Sequence, residues 1–309
     1  MPDTEWLWLI GVAAALFAVF MVGGIYGIFI EPSRLAVTRR EIASAWLPAG
    51  FDGIKIVQIS DTHVGPDYTT ASLSKLIDAV NAEMPDIVAF TGDLFDARRR
   101  NPERERDLSP LLSRIEAPLG KFAVYGNHDF GYERTKRSTN PSLARAGFDL
   151  LLNETRKIRL PGGEHLSVSG LDDYVLGRPD PVRTLAKLRP DGFNLLLVHE
   201  PDVAASLARY PIDLQLSGHS HGGQVKLPIV GALVRTQLGK RYLSGLHVVS
   251  DRRRPRRPYL LYVNRGIGTT RLRVRFGSVP ELSVFTLRRE ARRDSSIQPS
   301  GPLDEGSPR

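Results

Sequence analysis

A mixed α/β domain behind one membrane-spanning helix is what this 309-residue chain predicts. Three observations lead there. The first is a run without charge between Glu5 and Glu31. The second is a downstream alternation of apolar, strand-like stretches with segments of helical periodicity. The third is that five of those strand-like stretches close on clusters of Asp, Asn and His.

Composition bounds the answer. Hydrophobic residues make up 41% and charged residues 25%, as in an ordinary globular protein, so one large domain with appendages accommodates the length. The absence of cysteine excludes disulfides, thiolate metal sites and cysteine nucleophiles. Any metal must therefore rest on His, Asp, Asn and water. A net charge of +8 points to an anionic partner: lipid headgroup, phosphorylated substrate or nucleic acid. Much of the excess is local, in Arg98 to Arg100 and in Arg252, Arg253, Arg254, Arg256 and Arg257. For the second run, interrupted by Pro255, a solvated loop competes with contact to anionic headgroups or substrate phosphates. Aromatic residues are not interleaved with it, which argues against a stacking platform for nucleic acid.

As a helix, Trp6 to Ile30 extends about 37 Å, enough to cross a hydrocarbon core of roughly 30 Å. A cleaved signal peptide fits poorly, because Asp3 and Glu5 stand where basic residues belong and no small-x-small site precedes the charges. Residues 1–31 are read as an anchor, with Trp6, Trp8 and Tyr26 at the interfaces. Residues 32–50 are read as a linker, 51–288 as the globular domain and 289–309 as a polar, disordered tail. Arg34, Arg39 and Arg40 follow the span while acids precede it, so the positive-inside rule sets the domain on the cytoplasmic face of the cell membrane.

Within the domain, residues 54–60 read as a strand. A helix over 71–83 follows, with Leu73, Leu76, Ile77 and Val80 on one face and Thr70 as its cap. Next come a strand over 86–91, a polar, Arg-rich helical stretch to Ile115 and a strand over 121–125. Further strands are expected at 166–169, 194–198, 212–217, 260–264 and 282–287, with helices near 141–146, 181–188 and 203–208. Strands joined partly by helices and partly by turns predict a mixed sheet, or two packed sheets, with helices outside.

The strand ends carry the chemistry. Asp61-Thr62-His63 closes the first, Thr91-Gly92-Asp93-Leu94-Phe95-Asp96 the second and Gly126-Asn127-His128-Asp129 the third. His199-Glu200-Pro201 and Gly218-His219-Ser220-His221-Gly222-Gly223 close two later ones. Each cluster alone has an ordinary reading as a cap, a turn, a solvated loop or a core histidine. Yet five of the seven histidines fall at these ends, leaving only His165 and His247 elsewhere. Strand ends of an open α/β sheet converge on one crevice, so ligands far apart in sequence can meet. Oxygen and nitrogen donors of this kind suit manganese, iron or zinc, and the series predicts a two-metal centre.

The series resembles the calcineurin-like metallophosphoesterase family, whose pattern is Asp-x-His, Gly-Asp-x-x-Asp, Gly-Asn-His-Asp or -Glu, a lone His, and Gly-His-x-His. All five blocks occur here in order, from Asp61 to His221. The resemblance implies a four-layer α/β/β/α sandwich holding two divalent metal ions. Asp61, His63, Asp93 and His221 would hold one ion; Asp93, Asn127, His199 and His219 would hold the other, with Asp93 bridging. His128 would face the phosphoryl group and Asp96 would orient it. The implied reaction is hydrolysis of a phosphoester, with diesters or pyrophosphate-linked lipids ahead of monoesters.

Downstream, Gly222-Gly223-Gln224, Tyr262 to Gly268, Arg275-Phe276-Gly277 and Pro280-Glu281-Leu282 look like the membrane-anchored bacterial branch of that family. Some of its members resemble the hydrolases that cleave UDP-2,3-diacylglucosamine in lipid A biosynthesis. Two rivals stand beside this reading. One is a general nucleotide or soluble phosphoesterase for which the anchor is only an address. The other is a tethered metal-binding scaffold without turnover, against which the complete ligand blocks and the intact His128 argue.

Overall fold

The computed structural model describes residues 3–96, 101–130, 141–249 and 257–291. Helix α1 (Asp3–Ile25) continues through a π turn, Tyr26–Ile30, and a 3-10 turn, Glu31–Ser33. Over Trp6–Ser33 it is long and apolar enough to cross a membrane.

Strand β1 (Ala36–Ser44) follows at once, inside the stretch expected to be a linker. Its Thr38-Arg39-Arg40-Glu41 sequence hides it from a search for apolar runs. An edge strand need bury only one face, so it tolerates such a sequence. Then come β2 (Lys55–Ile59), α2 (Thr70–Ala82), β3 (Ile87–Phe90), α3 (Ser109–Leu112), β4 (Lys121–Ala123), α4 (Ser142–Arg145) and β5 (Phe148–Leu150). The cap of α2 is Thr69, which keeps an extended backbone and accepts the Ser72 N–H; the expected Thr70 is the first helical residue. Among the described residues the Arg-rich stretch before Ile115 gives a 3-10 turn, Pro102–Glu105, and the single turn of α3, each with a proline in its first two positions. Residues 97–100 lie outside the described residues.

The second half runs β6 (Glu154–Arg159), β7 (His165–Gly170), α5 (Pro181–Leu185), β8 (Asn194–Leu197), α6 (Ala204–Leu207) and β9 (Leu214–Ser217). It ends with the small hairpin β10 (Lys226–Leu227) and β11 (Gly231–Ala232), then β12 (Gly245–Val249), β13 (Tyr259–Val263) and β14 (Glu281–Arg289). One six-stranded sheet has the order β1-β14-β2-β3-β4-β5 and the other β12-β13-β9-β8-β7-β6.

Side chains of successive strand residues point to opposite faces, so each sheet feeds two cores. Between the sheets Ile56, Ile87, Phe122 and Phe285 pack against Val168, Leu195, Leu197 and Leu216. On the outer face of the first sheet Val57, Ile59, Val88 and Phe90 meet Leu73, Leu76, Ile77 and Val80 of α2, with Leu112 and Leu143. On the outer face of the second, Leu196, Val198, Leu261 and Val263 meet Leu185, Ala204 and Leu207. Each side chain buried this way contributes about 1.5–3 kcal/mol, and the layers read α/β/β/α.

Two features of this frame bear on the site. Strands β2, β3 and β4 run parallel, as do β8 and β9, so their carboxyl ends share an edge in each sheet. The membrane-length helix is also bonded straight into the domain. Arg275 N donates to Gly27 O at 2.9 Å, and the buried Glu31 carboxylate accepts from Gly277 N at 3.0 Å and Ser278 N at 2.5 Å. A Cβ on Gly27 would stand 3.1 Å from the Arg275 carbonyl, so glycine permits the approach.

Of the second arginine run, only Arg257 lies among the described residues. It is packed, not solvated: its guanidinium pairs with Asp213 at 2.5 Å and stacks 4.7 Å from the Trp46 ring. Arg252 to Arg256 and the tail from residue 292 lie outside the described residues.

Candidate metal centre

The turns that follow β2, β3, β4, β8 and β9 meet where the two sheets open. Beyond β2 and β3 the chains stay paired: Asp61 N donates to Gly92 O (2.9 Å), His63 N to Asp93 O (3.1 Å) and Val64 N to Leu94 O (2.8 Å). Asp61, His63, Asp93, His219 and His221, five of the seven expected ligands, have φ between 47° and 68°. For residues other than glycine this left-handed conformation costs about 1–2 kcal/mol each and persists where the surroundings enforce it, characteristically at functional sites. Here it turns the side chains inward at the strand tips.

The turn after β4 closes the other side. His128 N donates to Asp93 Oδ1 at 2.8 Å. A Cβ on Gly126 would overlap Asp93 Oδ1 and come within 2.6 Å of His199 Nε2, so only glycine lets this turn in.

The donor atoms gather around Asp93. His63 Nε2 is 3.6 Å and His199 Nε2 3.3 Å from Asp93 Oδ2, while His221 Nε2 is 3.4 Å from Asp61 Oδ1. His63 and His221 aim their Nε2 atoms at each other across 3.1 Å. Three overlapping sets, Asp61 with His63 and His221, His63 with Asp93 and His128, and Asp61 with Asp93 and His199, each bring their donors within 4.8 Å.

The other ring nitrogens of His199, His219 and His221 are held, whereas His63 Nδ1 makes no hydrogen bond. His199 Nδ1 donates to Thr91 O at 2.7 Å, His219 Nε2 to Gln237 O at 2.6 Å, and His221 bonds the Gly268 backbone. That leaves Nε2 of His199 and His221, and Nδ1 of His219, to face the centre. His219 lies edge-on to His199, ring centroids 4.8 Å apart.

Electrostatics favour cation binding. Burial pushes His63 and His221 well below the ordinary histidine range, with His128 and Arg275 adding to it respectively, and pushes His219 down to about 3. Neutral imidazole is the ligating form. Burial also raises the Asp93 carboxyl to about 7, with His199 opposing. His199 is itself driven upward: burial disfavours its charge, but the Asp93 and Asp61 carboxylates outweigh burial. Asn127 Oδ1 and His199 Nε2 are buried and make no hydrogen bond. Unpaired buried polar atoms beside mutually facing imidazoles are costly unless a cation sits among them, so this donor set fits a metal.

His128 is half-buried, with its ring edge-on to His63 at 4.6 Å and its carbonyl accepting from Arg104 at 3.1 Å. Asp96 is buried, and its turn is tied to the first strand's by Asp96 N donating to Val64 O at 3.1 Å.

A calcineurin-like phosphoesterase model matches residues 54–223, which hold every one of these turns. The chain belongs to this family. The uncharacterized metallophosphoesterase YkuE of Bacillus subtilis is 40% identical over 285 residues, covering 90% of this chain and 95% of its own. The UDP-2,3-diacylglucosamine pyrophosphatase LpxG of Chlamydia muridarum is 30% identical over 321 residues, covering 88% and 94%. A zebrafish transmembrane protein with metallophosphoesterase domain is 29% identical, covering 85% of this chain and 60% of its own.

In this phosphoesterase, residues outside the expected set also build the site. Asp129 accepts from Asp93 N (2.9 Å), Leu94 N (3.2 Å) and Gly126 N (2.8 Å), tying two ligand turns together. Its signal was its place in the Gly-Asn-His-Asp block. Arg275, fully buried, donates to the carbonyls of Arg265 and Gly268 and to Ser278 O at 2.8 Å, and reaches His221 Nδ1 at 3.3 Å. Burial lowers it to about 10. Its Arg275-Phe276-Gly277 block carries the resemblance to the membrane-anchored branch, but nothing in it announces a buried guanidinium.

Proposed function

We propose that this chain is a membrane-anchored phosphoesterase that uses two divalent cations to hydrolyse phosphodiester or pyrophosphate bonds on lipid-linked substrates of the UDP-2,3-diacylglucosamine kind. The observation that carries this reading is the gathering of strand-end donors around Asp93, with Asn127 Oδ1 and His199 Nε2 left without hydrogen bonds. Asp61, His63, Asp93 and His221 would hold one cation, and Asp93, Asn127, His199 and His219 the other. When bound, the cations, manganese, iron or zinc by the donor set, lower the pKa of the attacking water and neutralise charge on the phosphoryl oxygens.

The chain's own residues do the rest. Asp93 faces both donor sets and keeps them together. His128, half-exposed beside His63, carries a proton toward the leaving oxygen, and Asp96 acts as a positioning residue for it. The anchor keeps the site at the surface where lipid-linked substrates lie, on the cytoplasmic side by the basic residues that follow the span. The two relatives named for UDP-2,3-diacylglucosamine cleavage support this substrate class.

The test uses purified full-length protein loaded with manganese, assayed on bis(p-nitrophenyl) phosphate, p-nitrophenyl phosphate and UDP-2,3-diacylglucosamine. Cleavage of the diester and of the lipid-linked pyrophosphate is the expected result. Preference for the monoester or for soluble nucleotides would favour the general phosphoesterase, and no turnover by metal-loaded protein would leave a scaffold. A reporter fused after Leu287 that is active only outside the cytoplasm would reverse the sidedness.

A further inference from the structure

Hairpin β10–β11 begins five residues after His221 and carries an unusual tip. Turns ordinarily hold Gly, Pro, Asn, Asp or Ser, whereas this one, Leu227-Pro228-Ile229-Val230, sets two β-branched residues after its proline. Ile229 is fully exposed, Val230 64% exposed and Leu233, just past the hairpin, 54%. Ile229 also has φ 67°, a strained conformation for a β-branched residue. A second apolar point, Leu272 at 69%, stands between the exposed Arg271 and Arg273.

These two points form one unit. The buried Gln224 side chain donates to Thr270 O (3.0 Å) and Leu272 O (3.1 Å) and accepts from Thr270 N (3.0 Å). Val225 bridges Phe276, and Lys226 N donates to Phe276 O at 2.7 Å. The unit is in turn packed on the membrane-length helix. Phe276 stands 3.8 Å from where a Gly23 Cβ would lie and edge-on to Tyr26 at 6.0 Å, and Val274 flanks Gly27. Gly23, Tyr26 and Gly27 all belong to the uncharged run, so whatever packs on them stands at the depth of the membrane boundary.

We propose that the 226–233 hairpin and the 271–273 loop dip into the lipid bilayer beside the anchor. They form a second, monotopic contact that holds the mouth of the metal centre against the membrane surface. The occupant is lipid because the apolar points are joined through Val274 and Phe276 to the membrane-length helix, and because Lys226, Arg235, Arg271 and Arg273 flank them in sequence with the charge that anionic headgroups attract. The inference rests on the membrane-anchor reading. It adds that the domain lies on the bilayer and does not swing from it.

The chain has no cysteine, so single-cysteine labelling of the full-length protein is clean. Ile229→Cys, Leu272→Cys, Leu16→Cys in the span and Met84→Cys at the opposite, amino-terminal edge of β3 each receive an environment-sensitive fluorophore. Each is then reconstituted into phosphatidylglycerol-containing vesicles bearing nitroxide lipids at shallow or deep positions. Labels at 229 and 272 are expected to shift to the blue and to lose most of their emission to shallow nitroxides; Leu16→Cys answers to deep ones and Met84→Cys to neither. Quenching at 16 with none at 229 or 272 overturns the second contact while leaving the anchor standing. A blue shift at 229 without lipid quenching means that protein, not lipid, covers the hairpin, which also overturns it. No quenching at 16 removes the anchor, and the inference falls with it.

Discussion

The Asp129 carboxylate accepts the Asp93 backbone N–H at 2.9 Å, and with its other bonds to Leu94 N and Gly126 N it fixes two ligand turns to one another. Hydrogen bonds to a charged group are worth roughly 1.5–3 kcal/mol each, and leaving buried N–H groups without partners costs more. Asp129→Ala should therefore lower stability by about 3 kcal/mol and, by loosening Asp93, weaken metal affinity about 10- to 100-fold. Thermal midpoints and metal titration of the purified variant check both. Asp129→Asn keeps one acceptor oxygen and should fall between; equality with wild type would show that the carboxylate is dispensable.

Chelation offers a second check, this time on the donors themselves. Stripping divalent ions leaves His63 and His221 facing each other and Asn127 Oδ1 and His199 Nε2 without hydrogen bonds. The thermal midpoint should drop on chelation and return on adding manganese, since a ligand at one hundred times its dissociation constant contributes about 2.7 kcal/mol to the folded state. A midpoint indifferent to both treatments, in protein that elemental analysis finds free of metal, would sink the metal centre.

How much of this could be read from the residues differs by element. Strands β2, β3, β8 and β9 announce themselves because both faces are buried and their sequences are mostly apolar. Strand β1 does not, because its place at the sheet edge leaves Arg39, Arg40 and Glu41 exposed. The Asp and His residues that gather around Asp93 were legible as candidates because chemistry demands particular side chains at strand ends. The roles of Asp129 and Arg275 were not: both residues stand in blocks that the sequence singles out, but each acts on backbone atoms of other turns, and that geometry has no local signature.

His128 separates turnover from binding. It lies beside His63, donates its backbone N–H to Asp93, and is more exposed than the imidazoles around it. His128→Ala should slow diester hydrolysis by about a hundred- to ten-thousand-fold, the usual worth of positioned proton transfer, while metal content stays at the wild-type level. His219→Ala should lose metal. If both variants lose metal to the same extent, the division between proton donor and ligand is wrong.

Glu281 gives a prediction in pH. This carboxylate begins β14 and is buried; it takes hydrogen bonds from Thr38 and Tyr262 and an ion pair from Arg265 at 2.9 Å. Burial pushes its pKa up, but Arg265 and the two hydroxyls outweigh burial and hold it below the ordinary 4.5. A carboxyl depressed on folding stabilises the protein above its unfolded pKa, and that contribution disappears as pH falls through the folded value. Glu281→Gln should therefore cost about 2 kcal/mol at pH 7, the order of a charge-assisted bond network with one partner neutralised. The gap from wild type should close below about pH 4.5. Thermal midpoints of the two full-length proteins in detergent, taken from pH 7 down to pH 3, measure it. A gap that stays constant across that range would mean that Glu281 holds β1 to the Arg265 loop by shape and not by charge.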